Sequence, residues 1–250
     1  MKNKSEYIKF ILPLLIIFFW FIFTYTGKVP PTSLPSLSAV KDTFIEMLKS
    51  GQLSNDLSLS LRRVLAGFFI SSILGISLGI FMGISSKAKE FFQLTLKAIR
   101  QIPMIAWIPL IILWAGIGEV SKIVVILFAA TFPIVVNTMG GVDSTSETYL
   151  EVAKMYGLSK KDTFFKVYLP SALPNIFTGL RLGLGASWMA VVASELIASS
   201  SGIGYRLNDA RSLMRSDIVI VCMIIIGLVG LLMDKLIVLI SHELTPWKKN

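Results

Sequence analysis

The sequence predicts an all-α membrane protein with six spanning helices, and three observations carry that expectation. Hydrophobic residues make up 54% of the 250-residue chain, only 16% are charged, and the mean hydropathy is +0.73. A soluble domain of this size carries about 25% charged residues, so the chain has too little polar side chain to cover itself in water. The apolar residues also gather into runs of about the 20 residues needed to cross roughly 30 Å of hydrocarbon. One His and one Cys, His242 and Cys222, exclude a His-rich metal site and an intramolecular disulfide. A net charge of +9 could suit nucleic acid. Membrane proteins, however, hold excess Lys and Arg in cytoplasmic loops, and that accounts for the charge without a nucleic-acid partner.

The first span is expected over residues 8–26, behind Lys2, Lys4 and Lys9. A signal peptide opens the same way, but no small-x-small cleavage site follows at Tyr25, Thr26, Gly27 and Lys28, which favours an uncleaved anchor. Residues 35–63 come next. Ser36 and Ser38 are N-cap candidates, and Val40, Phe44, Met47 and Leu48 share a helical face, so a short amphipathic helix is expected on the outer surface. The second span, 64–84, carries Gly75, Gly79 and Gly83 at four-residue spacing. Such small-xxx-small spacing lets two helix backbones approach in lipid. The third span, about 99–115, contains Pro103 and Pro109, each of which removes a backbone donor and kinks the helix. The fourth is expected over 122–139 with Pro133, the fifth over 176–198 and the sixth over 218–240.

Six spans put both termini on one side. With the N-terminus inside, thirteen Lys and Arg fall in inner segments and nine in outer ones. The outer residues are spread along a longer first loop, where charge counts for less, so both termini are expected in the cytoplasm. The inner loop 140–175 is the most informative stretch. Ser144 and Glu147 read as a capping box starting a helix through Tyr156, and Gly157 supplies a left-handed stop. Ser159 and Asp162 start a second helix, which is expected to end near Leu169-Pro170, because the residue before proline avoids helical dihedrals. From these signals alone, an ordinary solvated loop with two short helices serves as well as a specialised one.

Within this loop, Glu151-Val152-Ala153, then Gly157, then Val167, Leu169 and Pro170 resemble the EAA motif of bacterial ABC importer permeases, with Val152 and Val167 as conservative departures. The resemblance covers roughly residues 55–240. Arg100-Gln101-Ile102-Pro103 through Leu113-Trp114, Gly179-Leu180-Arg181-Leu182 through Ala193-Ser194-Glu195-Leu196, and Ser201-Gly202-Ile203-Gly204-Tyr205 are similar to the sulfonate, nitrate and taurine branch. Permeases for thiamine-precursor pyrimidines share that pattern. The resemblance implies a type I ABC importer transmembrane domain over 56–240, preceded by an N-terminal helix and extracytoplasmic segment (1–55) and followed by a cytoplasmic tail (241–250). It implies a multi-pass permease of the bacterial inner membrane, working as two copies, most simply a homodimer. Separate ATPase subunits would bind ATP and Mg, and an extracytoplasmic solute-binding protein would deliver the solute. Glu151, Ala153, Gly157, Leu169 and Pro170 would couple to the ATPase: the small residues allow close approach, Glu151 offers a carboxylate, and Pro170 with Pro174 stiffens the link into span five.

On span five, Arg181, Gly185, Trp188, Val192, Glu195 and Ser199 fall within about 40° of one line at 100° per residue, while Gly179 and Gly183 lie on roughly the opposite side and suit helix contact. An acidic residue near mid-bilayer costs on the order of 2.5–3.5 kcal/mol, which points Glu195 away from lipid. Arg181, Trp188, Glu195 and Ser199 are therefore candidates to line the translocation path or to form its gate. In the second case, Glu195 would be solvated at the outer interface or would pair with an Arg such as Arg206.

No catalytic or metal-binding set is present in the sequence. It contains neither H-E-x-x-H nor G-x-S-x-G, which weakens an intramembrane enzyme. It also lacks the G-x-x-x-x-G-K-[ST] phosphate loop, so ATP hydrolysis is expected on a partner. A small secondary carrier driven by an ion gradient is the rival from another class. Such folds are often built from internal repeats, and none is visible.

Overall fold

A computed structural model describes residues 3–27 and 29–247. Lys2, Lys28, Lys248 and Lys249 of the charge count lie outside the described residues, as do the side chains of Lys4 and Lys9. The elements, in chain order, begin with α1 (Asn3–Tyr25), α2 (Leu37–Lys49), α3 (Gln52–Ile84) and α4 (Ser86–Gln101). These are followed by α5 (Met104–Ala115), α6 (Glu119–Asp143), α7 (Glu147–Met155) and α8 (Lys160–Thr163). A π turn at Phe164–Tyr168 leads into α9 (Leu169–Ala198), and α10 (Ile203–Ser212) and α11 (Ser216–Leu244) complete the chain. The described residues contain no strand.

α6 is the centre of the bundle, with α3 on one side and α9 on the other. The glycines of α3 explain the first contact. A Cβ on Gly75 would sit 2.7 Å from Ile134 Cγ2, one on Gly79 2.6 Å from Thr138 Cβ, and one on Gly83 2.6 Å from Val142 Cβ. Gly67 extends the row onto Ile126, so the two helices run parallel with side chains of α6 seated against bare backbone of α3. Gly179 and Gly183 of α9 make the second contact, against Ile134, Asn137 and Ala130. Ile134 is thereby enclosed from both sides and has no exposed surface. In lipid there is no hydrophobic gain from pairing apolar helices, so close backbone approach and dispersion must supply the association.

Among the described residues, four helices are long and apolar enough to cross a membrane: α3, α6, the unit Lys160–Ala198 and α11. The bent α4–α5 pair makes up to five among the described residues, so the count of six is not exact, and the expected third span is broken. The expected first span falls on α1, of which the apolar stretch Phe10–Tyr25 is described; the side chains of residues 3–7 and 9 lie outside the described residues. The third span is not one helix: α4 and α5 meet at 99°. Ile102, which precedes Pro103, adopts ψ 120, the extended conformation that the proline ring enforces on its neighbour.

Three further expectations change. The outer amphipathic segment divides, since α3 starts at Gln52, twelve residues before the expected span, and takes Arg62 and Arg63 into the helix. Ser36 does cap α2, accepting from Ala39 N at 3.2 Å. Ser144 does not cap α7: its hydroxyl donates to Gly141 O, it closes α6, and Ser146 is the N-cap. The break at Leu169-Pro170 is absent. Leu169 is helical (φ −64, ψ −48), and the π turn carries α8 directly into α9. Proline disfavours a preceding helical residue without forbidding it, and a wide turn one residue upstream relieves the clash of its ring with the carbonyl behind it.

Substitution at the glycine rows should separate crowded from open positions. Gly75→Leu is expected to destabilise the detergent-solubilised protein by about 1–3 kcal/mol or more, as overpacking does. Gly185→Ala, where nothing lies within 4 Å of the added carbon, should leave the melting temperature close to that of the parent. Thermal unfolding followed by circular dichroism measures both.

Candidate functional site

Two arrangements of polar residues stand out, one at each end of the bundle. At the end away from α7, residues of α3, α6, α9 and α10 form a continuous ionic network. Arg63 of α3 is buried (4% exposed) and reaches Glu195 Oε1 of α9 with Nη1 at 2.6 Å. Its Nε and Nη2 donate to both oxygens of Glu119 at the start of α6, at 2.7 and 2.6 Å, and Lys122 Nζ joins Glu119 at 3.2 Å. Two cations therefore offset two carboxylates. Ser60 Oγ donates to the Glu195 carboxylate (2.8 Å to Oε1) and accepts from Ile203 N at 3.0 Å.

The first turn of α10 supplies the remaining donors. A helix N-terminus leaves its first backbone N–H groups without intrahelical partners. Here Gly202 N donates to Asp56 Oδ1, Ile203 N to Ser60 and Gly204 N to Glu195 Oε2. Asp56 in turn accepts from Arg206 Nε at 2.8 Å. Glycine is required at both flanking positions: Gly202 has φ +104, and a Cβ there or at Gly204 would run into Glu195. The Glu195 carboxylate thus holds α10 across the end of α3, with its charge matched and its oxygens bonded. A buried charge is tolerated only on those terms.

The four residues singled out on α9 are not brought together. Glu195 is 1% exposed in this network, so its partner is Arg63, whereas Arg206 belongs to Asp56. Trp188 is buried, and its Nε1 donates to Ile226 O of α11 at 2.9 Å. Neither side chain faces an open surface here. Ser199 donates to Ser201 O at 2.7 Å and shapes the turn into α10. Arg181 alone is half-exposed, joined to Asp234 of α11 through Nε and Nη2 at 2.5 and 2.7 Å. The exposed side of α9 runs instead through Thr178, Arg181, Leu182, Gly185 and Met189.

Sequence reasoning placed Arg63 in a loop and so missed the residue on which the network turns, together with Asp56, Ser60 and Glu119. One signal was available: the apolar pattern of α3 continues upstream of Val64 through Leu57 and Leu61 at helical spacing, which already carries Arg63 into the helix.

At the other end, α7 projects from the bundle. Gly157 (φ +65) ends it with two hydrogen bonds, Leu158 N to Ala153 O and Gly157 N to Lys154 O, both 3.0 Å. This is the Schellman pair that satisfies the last carbonyls of a helix. Ser159 then caps the next turn, accepting from Asp162 N at 3.0 Å. Tyr149, Met155 and Tyr156 are exposed on the projection, at 62, 86 and 81%. Glu151 is exposed and forms no ion pair among the described residues. Beside them an open cavity of about 1010 Å³ extends to Pro170, Pro174 and Trp247, so Ala153 and Pro170 border the same hollow. Leu169 opens α9 behind it and packs on Val142, Ala172 and Ile176.

The ion pairs permit a sharp test. Removing one partner leaves a buried charge uncompensated, which costs about 3–5 kcal/mol. Arg63→Leu, which strands the buried Glu195, is expected to destabilise by that order; Glu195→Leu is expected to cost less, because Arg63 keeps Glu119, and the double variant clearly less than the sum of the two. A thermal-unfolding cycle on purified protein reads the coupling, and additive losses would show that the pair contributes nothing.

Comparison with known proteins agrees with this architecture. Residues 71–245 match the family of binding-protein-dependent transport system inner membrane components. An ABC transporter permease protein of Methanocaldococcus jannaschii is 38% identical over 254 residues, covering 99% of this chain and 94% of that protein. An aliphatic sulfonates transport permease protein of Bacillus subtilis is 37% identical over 240 residues, 96% of this chain and 87% of that one. Among solved structures, an amino acid ABC transporter chain superposes with a TM-score of 0.65 at 17% identity, covering 80% of this chain and 98% of that one, which shows the shared fold. The chain belongs to the binding-protein-dependent transport system inner membrane component family: it is a membrane-embedded permease subunit of an ABC importer, and not an enzyme, because the ATPase is a separate subunit.

Proposed function

We propose that two copies of this chain form the path by which an aliphatic sulfonate enters the cell. α7 seats on an ATPase subunit that carries ATP and Mg, and an extracytoplasmic solute-binding protein docks at the end that holds α10. Both termini and α7 then lie in the cytoplasm. The observation that carries the reading is the projection itself: a short helix, ended by the Gly157 cap, presents exposed Tyr149, Met155 and Tyr156 beside an open hollow, and the short turn after it leads into α8, which the π turn joins to α9. Large exposed apolar side chains on a rigid protrusion mark a surface made for another protein. The continuous helix Lys160–Ala198 leads from that surface across the bundle to Glu195. Closure of the ATPases would tilt α9 and work on the ionic network at its far end.

The substrate class is supported by the name of the B. subtilis relative and by the segments similar to the sulfonate, nitrate and taurine branch. Arg181, half-exposed on the open side of α9, is the cation best placed to meet an anionic solute on its way through.

Proteoliposomes holding the permease, its ATPase and its binding protein test both parts. ATP-driven uptake of an aliphatic sulfonate is expected. Uptake of nitrate or a pyrimidine in its place would overturn the substrate, and uptake on an ion gradient without the ATPase would overturn the coupling. A left-handed conformation costs a residue other than glycine roughly 1–2 kcal/mol, so Gly157→Val should lower ATP-driven uptake by about tenfold while protein in the membrane stays at the parental level.

A further inference from the structure

Three of the four basic residues of α4 share one arc, and Lys87 lies off it, on another face of the helix. At 100° per residue, Lys89, Gln93, Lys97 and Arg100 fall within about 80° of one another. Phe91, Leu94 and Ala98 lie on a separate face, with Phe91 76% and Leu94 77% exposed. Lys89, at the start of the basic arc, is met by Asp143 at the α7 end of α6. Lys97 and Arg100 lie two and three turns farther along, and among the described residues neither forms an ion pair or a side-chain hydrogen bond. What they face is the apolar wall of α6.

The space between is a trough. Met82, Leu96, Phe132, Val135 and Met139 enclose a cavity of about 110 Å³ with Lys97 and Arg100 at its edge. Arg100 and Phe132 also border a second cavity of about 180 Å³, which continues beneath the α4–α5 elbow to Trp107 and Phe128. From Met139 to Phe128 the trough follows α6 for about 16 Å, close to half the roughly 30 Å hydrocarbon thickness, that is, one leaflet.

Two unmatched cations at the mouth of an apolar channel define the ligand chemically. Charge in an apolar setting is costly without a counter-charge. A free inorganic anion would supply the charge and leave the trough unfilled; a zwitterionic lipid would fill the trough with no net charge to offer. We propose that the trough between α4 and α6 binds one anionic phospholipid, with its phosphate on Lys97 and Arg100 and an acyl chain lying along Phe132 towards Trp107. The site is separate from α7 and from the Arg63–Glu195 network, so it stands or falls independently of the transport reading.

Trp107 provides the readout. The full chain is placed in phosphatidylcholine nanodiscs that contain a minor fraction of either phosphatidylglycerol or phosphatidylcholine with brominated acyl chains, which quench tryptophan on contact. Brominated phosphatidylglycerol is expected to quench more than brominated phosphatidylcholine at equal fraction. That excess should vanish in Trp107→Phe, be reversed by unbrominated phosphatidylglycerol, and be insensitive to inorganic phosphate. With Lys97→Gln and Arg100→Gln combined, roughly 30-fold more phosphatidylglycerol should be needed for the same excess. Equal quenching by the two lipids, or an excess that survives Trp107→Phe, would overturn the proposal, as would displacement by inorganic phosphate. Competition on the parent protein needs no variant, so a double variant that failed to fold would still leave the outcome decided.

Discussion

Everything in the bundle depends on how closely α3 and α9 can approach α6. Water drives soluble helices together, but lipid does not, so the contact must come from dispersion at short range. The bare stripes at Gly67, Gly75, Gly79 and Gly83 on one side and at Gly179 and Gly183 on the other admit Ile126, Ile134, Thr138 and Val142 up to the neighbouring backbones. Only with the backbones at that distance can Arg63 of α3 and Glu195 of α9 meet at 2.6 Å, and only then can α10 fold back over their junction. The apolar packing therefore comes first and the ionic network is built on it.

The network has the character of a specific fastening. Arg63 and Glu195 are desolvated, and a pair of hydrophobic residues of similar volume would stabilise as much or more. Their value lies in directionality. Each donor on the first turn of α10 has one acceptor, and the guanidinium of Arg63 fixes three segments, α9, the start of α6 and the turn at Ser201, in one arrangement. The packing along α6 by itself would not hold α10 at that angle.

What the sequence made legible follows from periodicity and spacing. The four-residue recurrence of Gly75, Gly79 and Gly83 identified a face, and Gly157 identified a stop, because each rests on a local rule. The elbow at Ile102-Pro103 was half visible: two prolines announced a kink, but its 99° sharpness depends on what α5 packs against, Val125 and Ala190 among them. The pairing of Glu195 was not legible. A carboxylate in an apolar run states a need for a partner without naming it, and Arg63, 132 residues away, was hidden by the assumption that charge ends a helix. The continuity through Pro170 escaped for a similar reason, since a proline's cost can be met by widening one turn, and no residue type announces a π turn.

That widened turn has its own consequence. A helix that carries a surplus residue in one broad winding holds its two flanks out of phase, by about the 100° that a single residue occupies. The azimuth of α8 about the α9 axis, and with it the point from which the Gly157 turn launches α7, thus depends on the five residues Phe164–Tyr168. A push received below would then reach the far end as rotation combined with lean.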